Sequence, residues 1–228
     1  MLSEHRKGES DLIHRDGMWF LHATCDLPDV EVVNPVAFVG VDLGIANIAT
    51  TSDGVLYVGK TLRAVRHRHR ELRRRLQTKK TKSAKRLLKR RSRKESRFAT
   101  DTNHVISNRI VTEAKRTGRG ISLEDLSGIR ERVRLRKPQR VTLHSWNFHQ
   151  LGSFIAYKAA RLGVPLVHVD PACTSRECST CGHVDIKNRP DQATFSCTSC
   201  GFAEHADVNA ARDIASRGAM GWAVSHAA

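Results

Sequence analysis

Two Cys-x-x-Cys pairs, Cys178/Cys181 and Cys197/Cys200, stand fifteen residues apart and limit what this chain can fold into more than any other feature. Each pair is followed by a glycine, Gly182 or Gly201, able to take the positive φ of a tight turn whose amides face the sulfurs. Two such knuckles bring four thiolates to one tetrahedral Zn²⁺, and with four cysteines supplied the site is closed and structural. A disulfide framework would use the same residues, but nothing in the chain points to an oxidising compartment. Cys173 is then a spare thiol at the edge of the ribbon, and His183 and His205 are rival ligands. Cys25, far away in sequence, reads as a small buried hydrophobe.

Charge is the second constraint. The 228 residues carry 39 Lys/Arg and 23 Asp/Glu, a formal net of +16. From Lys60 to Arg97 there are nineteen basic residues and two acids, Glu71 and Glu95; the rest of the chain holds twenty basic and twenty-one acidic residues. One segment therefore carries the whole imbalance. It contains no Gly or Pro, and Leu62, Val65, Leu72, Leu76, Leu87 and Leu88 recur at roughly helical spacing. The pattern predicts one long helix, or a helical hairpin bent near Thr78–Ser83, with a thin apolar stripe. A solvated basic run is the plainer reading. Neutralising the phosphates of a nucleic acid explains the charge better, with Arg66, Arg70, Arg73, Arg74, Lys79, Lys82, Arg86 and Arg90 as the candidate contacts. No stretch approaches the roughly eighteen apolar residues of a membrane span. Met1–Ser10 is charged and lacks the apolar core of a signal peptide, so neither secretion nor a membrane partner is expected.

Strand signals surround the basic segment. Leu12–Arg15 and Met18–Cys25 flank Asp16-Gly17, a hairpin turn, and Pro28–Pro35 reads as a linker. The apolar run Val36–Gly44 contains Asp42; Ile45–Thr51 and Val55–Val58, joined at Ser52-Asp53-Gly54, complete a three-stranded meander. Asn103–Lys115 has helical periodicity, and the strand Gly120–Leu123 ends in the acids Glu124 and Asp125. An amphipathic helix over His144–Leu162, a last strand over Val164–Val169 and a closing helix over Ala206–Ser216 follow. Two apolar strands thus each deliver a carboxylate at their end, and the closing helix offers Asp207 near its start. Gathered together, these oxygens suit a hard divalent cation and metal-assisted phosphodiester chemistry. Spacing alone allows an equal alternative: Asp42 capping a turn, Glu124 a surface acid, Asp207 a helix N-cap. The order of elements suits a ribonuclease H-like α/β layout, a mixed sheet with helices on its faces.

Four motifs occur in order: Val39-Gly-Val-Asp42-Leu-Gly-Ile-Ala-Asn47, Ser122-Leu-Glu124-Asp-Leu126, Asp170-Pro-Ala-Cys-Thr-Ser175 leading into the cysteines, and Ala206-Asp207-Val-Asn209-Ala-Ala211. Together they closely resemble the TnpB family, the OrfB-type proteins of insertion sequences, which are similar to type V CRISPR nucleases. The resemblance covers Val36 to Gly218. It implies a RuvC-type, ribonuclease H-like α/β domain with a long basic helical insertion at residues 60–97 and an inserted zinc ribbon. It also implies RNA-guided DNA cleavage using Mg²⁺, with Mn²⁺ as a substitute, in the cytoplasm of a prokaryote at the nucleoid. Carried over residue by residue, Asp42, Glu124 and Asp207 become the catalytic, metal-binding carboxylates. Cys178, Cys181, Cys197 and Cys200 become zinc ligands, and DNA and a guide RNA the partners. Asp125 should face away from Glu124, as neighbours on a strand do, and Asp213 should lie on the surface of its helix. The expected division is residues 36–171 with 204–218 for the nuclease domain, 172–203 for the ribbon and 219–228 for a tail. Family members carry a β-barrel and a helical recognition domain ahead of the first nuclease strand. Here about thirty-five residues precede Val36, so residues 1–35 are expected to be a barrel remnant and linker in a shortened protein. The rival expectation is a non-catalytic nucleic-acid-binding protein or repressor on the same scaffold.

Overall fold

The computed structural model describes residues 4–15, 17–126 and 148–226. The chain divides into two units, Met1–Glu31 and Val32–Ala228. The first is a two-stranded antiparallel ribbon, β1 (Arg6–Arg15) with β2 (Met18–Cys25), in which Leu12 stands opposite Leu21 and Ile13 opposite Phe20. Gly17, at φ +79°, supplies the turn conformation that alternation around it predicts; Asp16 lies outside the described residues. β1 starts earlier than the alternation indicates, at Arg6, and carries a register irregularity between Arg6 and Ser10. Cys25 is only half-buried, contrary to expectation, because a two-stranded ribbon has no second layer of its own to cover it.

The second unit is built on a five-stranded mixed sheet of order β5-β4-β3-β6-β7. Its strands are β3 (Phe38–Asp42), β4 (Asn47–Thr51), β5 (Leu56–Val58), β6 (Gly120–Glu124) and β7 (Leu166–Val169). β3, β4 and β5 form the antiparallel meander, and β6 and β7 add parallel to β3. The central strands read as near-continuous apolar runs because both their faces are covered. On one face, Val39, Val41, Ile121 and Leu123 pack with Ile106, Ile110 and Val111 of α2 (Lys82–Arg116) and with Leu151 and Ile155 of α3 (Phe148–Leu162). On the other face lies the closing helix α4 (Ala206–Ser225), whose closeness is set by two glycines. A Cβ on Gly40 would stand 1.9 Å from the Ala211 carbonyl oxygen, and one on Gly218 would stand 2.2 Å from Ser122 Oγ. Ser122 Oγ donates to the Ile214 carbonyl at 2.8 Å across this contact.

The basic segment is a helical hairpin. α1 (Lys60–Lys79) ends at Lys80 in the left-handed conformation, and α2 starts after Thr81, whose hydroxyl accepts the Ala84 amide as an N-cap. α2 runs unbroken from Lys82 to Arg116, so the periodicity over Asn103–Lys115 is its second half rather than a separate helix. No Gly, Pro or cap interrupts it. α4 likewise runs beyond Ser216 to Ser225, through most of the stretch expected as a tail. The first four residues of the helix expected over 144–162 lie outside the described residues. The ribbon contributes a short 3-10 turn at Ile186–Asn188 and an antiparallel pair, β8 (Thr194–Ser196) with β9 (Ala203–His205).

Candidate functional site

Strand parity decides which acids meet. Alternate residues of β3 point to opposite faces: Val39 and Val41 join the core under α2 and α3, whereas Gly40 faces α4, and Asp42 shares its parity. In β6, Ser122 faces α4 and Glu124 follows on the same side. β3 and β6 are paired in parallel with Gly40 level with Ser122 and Val41 level with Leu123, which puts Asp42 level with Glu124 at adjacent strand ends. Asp207 sits in the first turn of α4, on the helix that covers this face. The N-cap of α4 is His205, whose Nδ1 accepts the Asp207 amide at 3.2 Å, so Asp207 is not spent on capping. Asp125 is exposed, as its parity predicts.

The electrostatics register the meeting. Burial pushes the Asp42 carboxyl well above the usual range, the negative charges of Glu124 and then Asp207 push it further, and only Arg189 pulls the other way. By surface area Asp42 is only partly buried. Glu124 is also raised by burial, opposed by a hydrogen bond from Thr174 Oγ1 and by the charge of Arg217. Asp207 is held by two donors: Arg189 Nη2 at 3.0 Å on Oδ1 and Asn47 Nδ2 at 2.9 Å on Oδ2. The three carboxylates could hold a hard cation by oxygen. They form a looser set than the cysteines, the one group among the described residues whose ligand atoms all lie within 4.8 Å of one another.

Asp213 is a correction. It is buried rather than on the surface, because α4 lies against the sheet on one side and the ribbon on the other. Its carboxyl is raised to about 6, chiefly by burial, with Arg217 opposing and Glu177 and Glu124 adding repulsion. Arg217 Nε approaches Asp213 Oδ2 at 2.9 Å. The approach is close yet badly aligned, leaving that oxygen without a donor in line, so the contact acts as a charge pair. The same guanidinium pairs with Glu177 and donates from Nη1 to the carbonyls of Asp170 and Ala172, both at 2.9 Å. One arginine thus joins α4, the end of β7 and the start of the ribbon.

In the ribbon, Cys178 and Cys200 sulfurs lie 3.8 Å apart and those of Cys181 and Cys197 3.6 Å apart. These are not bonding distances for a disulfide. A tetrahedron with metal–sulfur bonds of about 2.3 Å has edges of about 3.8 Å, and the sulfurs fit it. Cys197 ionises early, at about 6, because the Cys200 amide first, then the Ser199 amide and the neighbouring thiols, donate to it. Cys173 is exposed and His205 is a helix cap; neither joins the four. Two fully buried asparagines order the ribbon. Asn188 donates to the Arg176 and His183 carbonyls and accepts from Thr198, while Asn209 of α4 donates to the Glu177 carbonyl and accepts the Ser179 amide.

The hairpin holds its charges unequally. Arg70, Lys79, Lys82, Arg86 and Arg90 are exposed. Arg73 is committed to Glu95 at 3.1 Å, and Arg66 is half-buried with its guanidinium lowered by burial against the attraction of Glu95. Arg74 has a loose contact of 3.8 Å with Glu71, too weak to occupy it. Sequence reasoning missed Arg189, Arg217 and Thr174. Thr174 and its turn lay inside a recognised motif, but Arg189 and Arg217 had no pattern to mark them.

Comparison with known proteins follows the same outline. Residues 22–127 match the OrfB family described as "Probable transposase", and residues 148–214 match the "Cas12f1-like, TNB domain". The chain is 33% identical over 242 residues to a CRISPR-associated endodeoxyribonuclease Cas12f1 of Sulfoacidibacillus thermotolerans, across 93% of this chain and 54% of the relative. A TnpB-like protein of Methanocaldococcus jannaschii is 36% identical over 126 residues, across 54% of this chain and 44% of the relative. Among solved structures, a CRISPR-Cas12f ternary complex superposes with a TM-score of 0.64 at 20% identity, over 90% of this chain and 44% of that one. A Cas12f1–sgRNA–target DNA complex gives 0.62 at 20% identity, over 90% and 55%. The chain spans about half the length of the curated relatives it matches. Among the described residues no helix is long and apolar enough to cross a membrane.

Proposed function

Because the chain belongs to the TnpB family of OrfB-type insertion-sequence proteins, we propose that it cleaves DNA by divalent-metal catalysis under the direction of a guide RNA, on a RuvC-type, ribonuclease H-like sheet. The observation that carries this reading is the meeting of Asp42, Glu124 and Asp207 from two adjacent strand ends and one helix start. Asp42 is repelled by both of the others, a cost that a cation between them removes. Asp42, Glu124 and Asp207 would hold Mg²⁺, or Mn²⁺ in its place. When bound, the ion supplies a water of lowered pKa and positive charge for the departing oxygen. Asn47 and Arg189 hold Asp207 at its place. Arg189 also presents a guanidinium beside the acids, the group best suited to grip a phosphodiester.

Around that centre, residues 36–171 and 204–225 make up the nuclease domain, α4 being one helix to Ser225, and residues 172–203 a structural ribbon closed on zinc by Cys178, Cys181, Cys197 and Cys200. The α1–α2 hairpin tracks nucleic-acid phosphates with Arg70, Arg74, Lys79, Lys82, Arg86 and Arg90. Arg66 and Arg73 serve mainly to pin the two helices through Glu95. Phosphate contacts position the complex without reading sequence, which leaves target choice to the RNA. The test is cleavage of plasmid and single-stranded DNA with Mg²⁺, with any co-purifying RNA retained. Asp42→Ala, Glu124→Ala and Asp207→Ala should each abolish cutting while DNA binding stays within about twofold of wild type. A variant that cuts as fast as wild type removes its residue from the site.

A further inference from the structure

The Asp170–Ser175 motif has no part in the chemistry above, yet it is built with care. β7 ends at Val169, level with Glu124 of β6, and the Asp125 amide donates to the Val169 carbonyl at 2.8 Å. The chain then turns at once: Asp170 Oδ1 accepts the Ala172 amide at 2.9 Å, and Arg217 fastens the turn from outside through the Asp170 and Ala172 carbonyls. Cys173 follows at φ +65°, a left-handed conformation that a residue with a side chain adopts only when its surroundings hold it there. Its carbonyl accepts the amides of Arg176 and Glu177 at 2.8 and 2.9 Å, so the reversal is locked on both sides. The outcome is the placement of one hydroxyl. Thr174 is 4% exposed, and its Oγ1 lies against Glu124 Oε1 and 3.1 Å from the Pro171 carbonyl.

A hydroxyl has one proton to give. Between a carbonyl and a carboxylate, the charged acceptor makes the stronger bond, so the proton goes to Glu124. Glu124 has three side-chain torsions and no other way, from β6 alone, to choose among rotamers. A donor fixed on Oε1 chooses one and leaves Oε2 free of that bond. We propose that Thr174 is the positioning residue of Glu124, placed by the left-handed turn at Cys173 so that Glu124 presents a single oriented oxygen to a divalent cation. The proposal rests on the reading of Glu124 as a metal ligand. Outer partners of ligands commonly change metal affinity by about 10- to 100-fold when removed.

The experiment uses Mn²⁺ as the probe, titrated into the full chain and followed by the electron paramagnetic resonance of the free ion, with zinc content and thermal melting measured on the same samples. Thr174→Val keeps the shape and removes the hydroxyl; it should weaken Mn²⁺ binding about tenfold with zinc content unchanged. Thr174→Ser restores the hydroxyl and should return affinity to within about threefold of wild type. Thr174→Ser binding as weakly as Thr174→Val, with the fold intact, overturns the positioning role, and this comparison holds even if the valine variant folds poorly. Glu124→Gln separates the two claims. If Glu124→Gln weakens Mn²⁺ binding and Thr174→Val does not, Thr174 is only a structural tie. If neither does, Glu124 is not a ligand and the proposal falls with that reading.

Discussion

Gly40→Ala should damage both stability and the site, and the structure gives the size of the effect. The added Cβ would stand 1.9 Å from the Ala211 carbonyl oxygen and 2.5 Å from the Ala215 amide nitrogen, against an ordinary contact of 3.4 Å or more. About 1.5 Å must therefore be found between β3 and α4 at the oxygen contact. Both obstructing atoms are backbone, so no side chain can rotate away. Overpacking of a core usually costs about 1–3 kcal/mol, and with rigid backbone on both sides about 3 kcal/mol is expected. The same displacement acts on the helix that carries Asp207 and on the strand that carries Asp42. A shift of about 1 Å in a reacting geometry can lower a rate about 100-fold. Urea unfolding followed by circular dichroism measures the first effect; Mg²⁺-dependent nicking, at a temperature where the variant stays folded, measures the second. Gly221→Ala is the control on the same helix. Nothing lies within 4 Å of its Cβ position, so it should be neutral or gain about 0.5–1 kcal/mol. If Gly40→Ala lies within 0.5 kcal/mol of wild type, the close packing of α4 on β3 is wrong.

Arg217→Met should cost about 3–5 kcal/mol in urea unfolding, because it leaves Asp213 and Glu177 without their counter-charge; a loss under 1 kcal/mol would contradict the joint described for it. Asp213 titrates at about 6 in the folded chain against 3.8 unfolded. Its stabilising contribution is therefore complete below about pH 4 and lost as pH rises through 6, by at most about 3 kcal/mol. Asp213→Asn should flatten the fall between pH 4 and 6.5 in metal-free protein, and an unchanged slope would refute the assignment. Chelating zinc, or Cys178→Ser, should unfold roughly residues 173–202 in hydrogen exchange, since metal binding there supplies folding free energy of order 10 kcal/mol. Arg70→Glu and Arg86→Glu should each lower the log–log salt slope of duplex binding by about 0.9; an equal slope would make them solvated surface.

Periodicity carried most of the fold into view. Apolar runs over Val36–Gly44 and Gly120–Leu123 located two strands, each delivering a carboxylate at its end, while the register that sets Asp42 level with Glu124 is visible only in the sheet. Leucine spacing located the helical segment and left one long helix or a hairpin bent near Thr78–Ser83 as alternatives, between which the break at Lys80 decides. What periodicity could not reach depends on contacts between distant segments. Asp213 reads as a surface acid because a helical wheel shows one face toward one partner, while the first turns of α4 have two. The length of α2 was hidden by a change from basic to mixed composition at Arg97 that looks like a boundary and contains no cap. Arg189 sits in a loop with no period at all, and its partner Asp207 is eighteen residues on. The left-handed Cys173 is invisible for a different reason. Positive φ is predictable at glycine, and here a cysteine is held there by hydrogen bonds made three and four residues later.

The central claim is that Asp42, Glu124 and Asp207 share a divalent cation. Crystals of the metal-loaded chain with Mn²⁺, measured at the manganese absorption edge, locate that ion directly. The account predicts an anomalous peak bonded to Asp42 and to Glu124 or Asp207, at the ends of β3 and β6, and a separate zinc-edge peak at the centre of the four cysteine sulfurs. Manganese bound only elsewhere, with the three carboxylates bare, would contradict it.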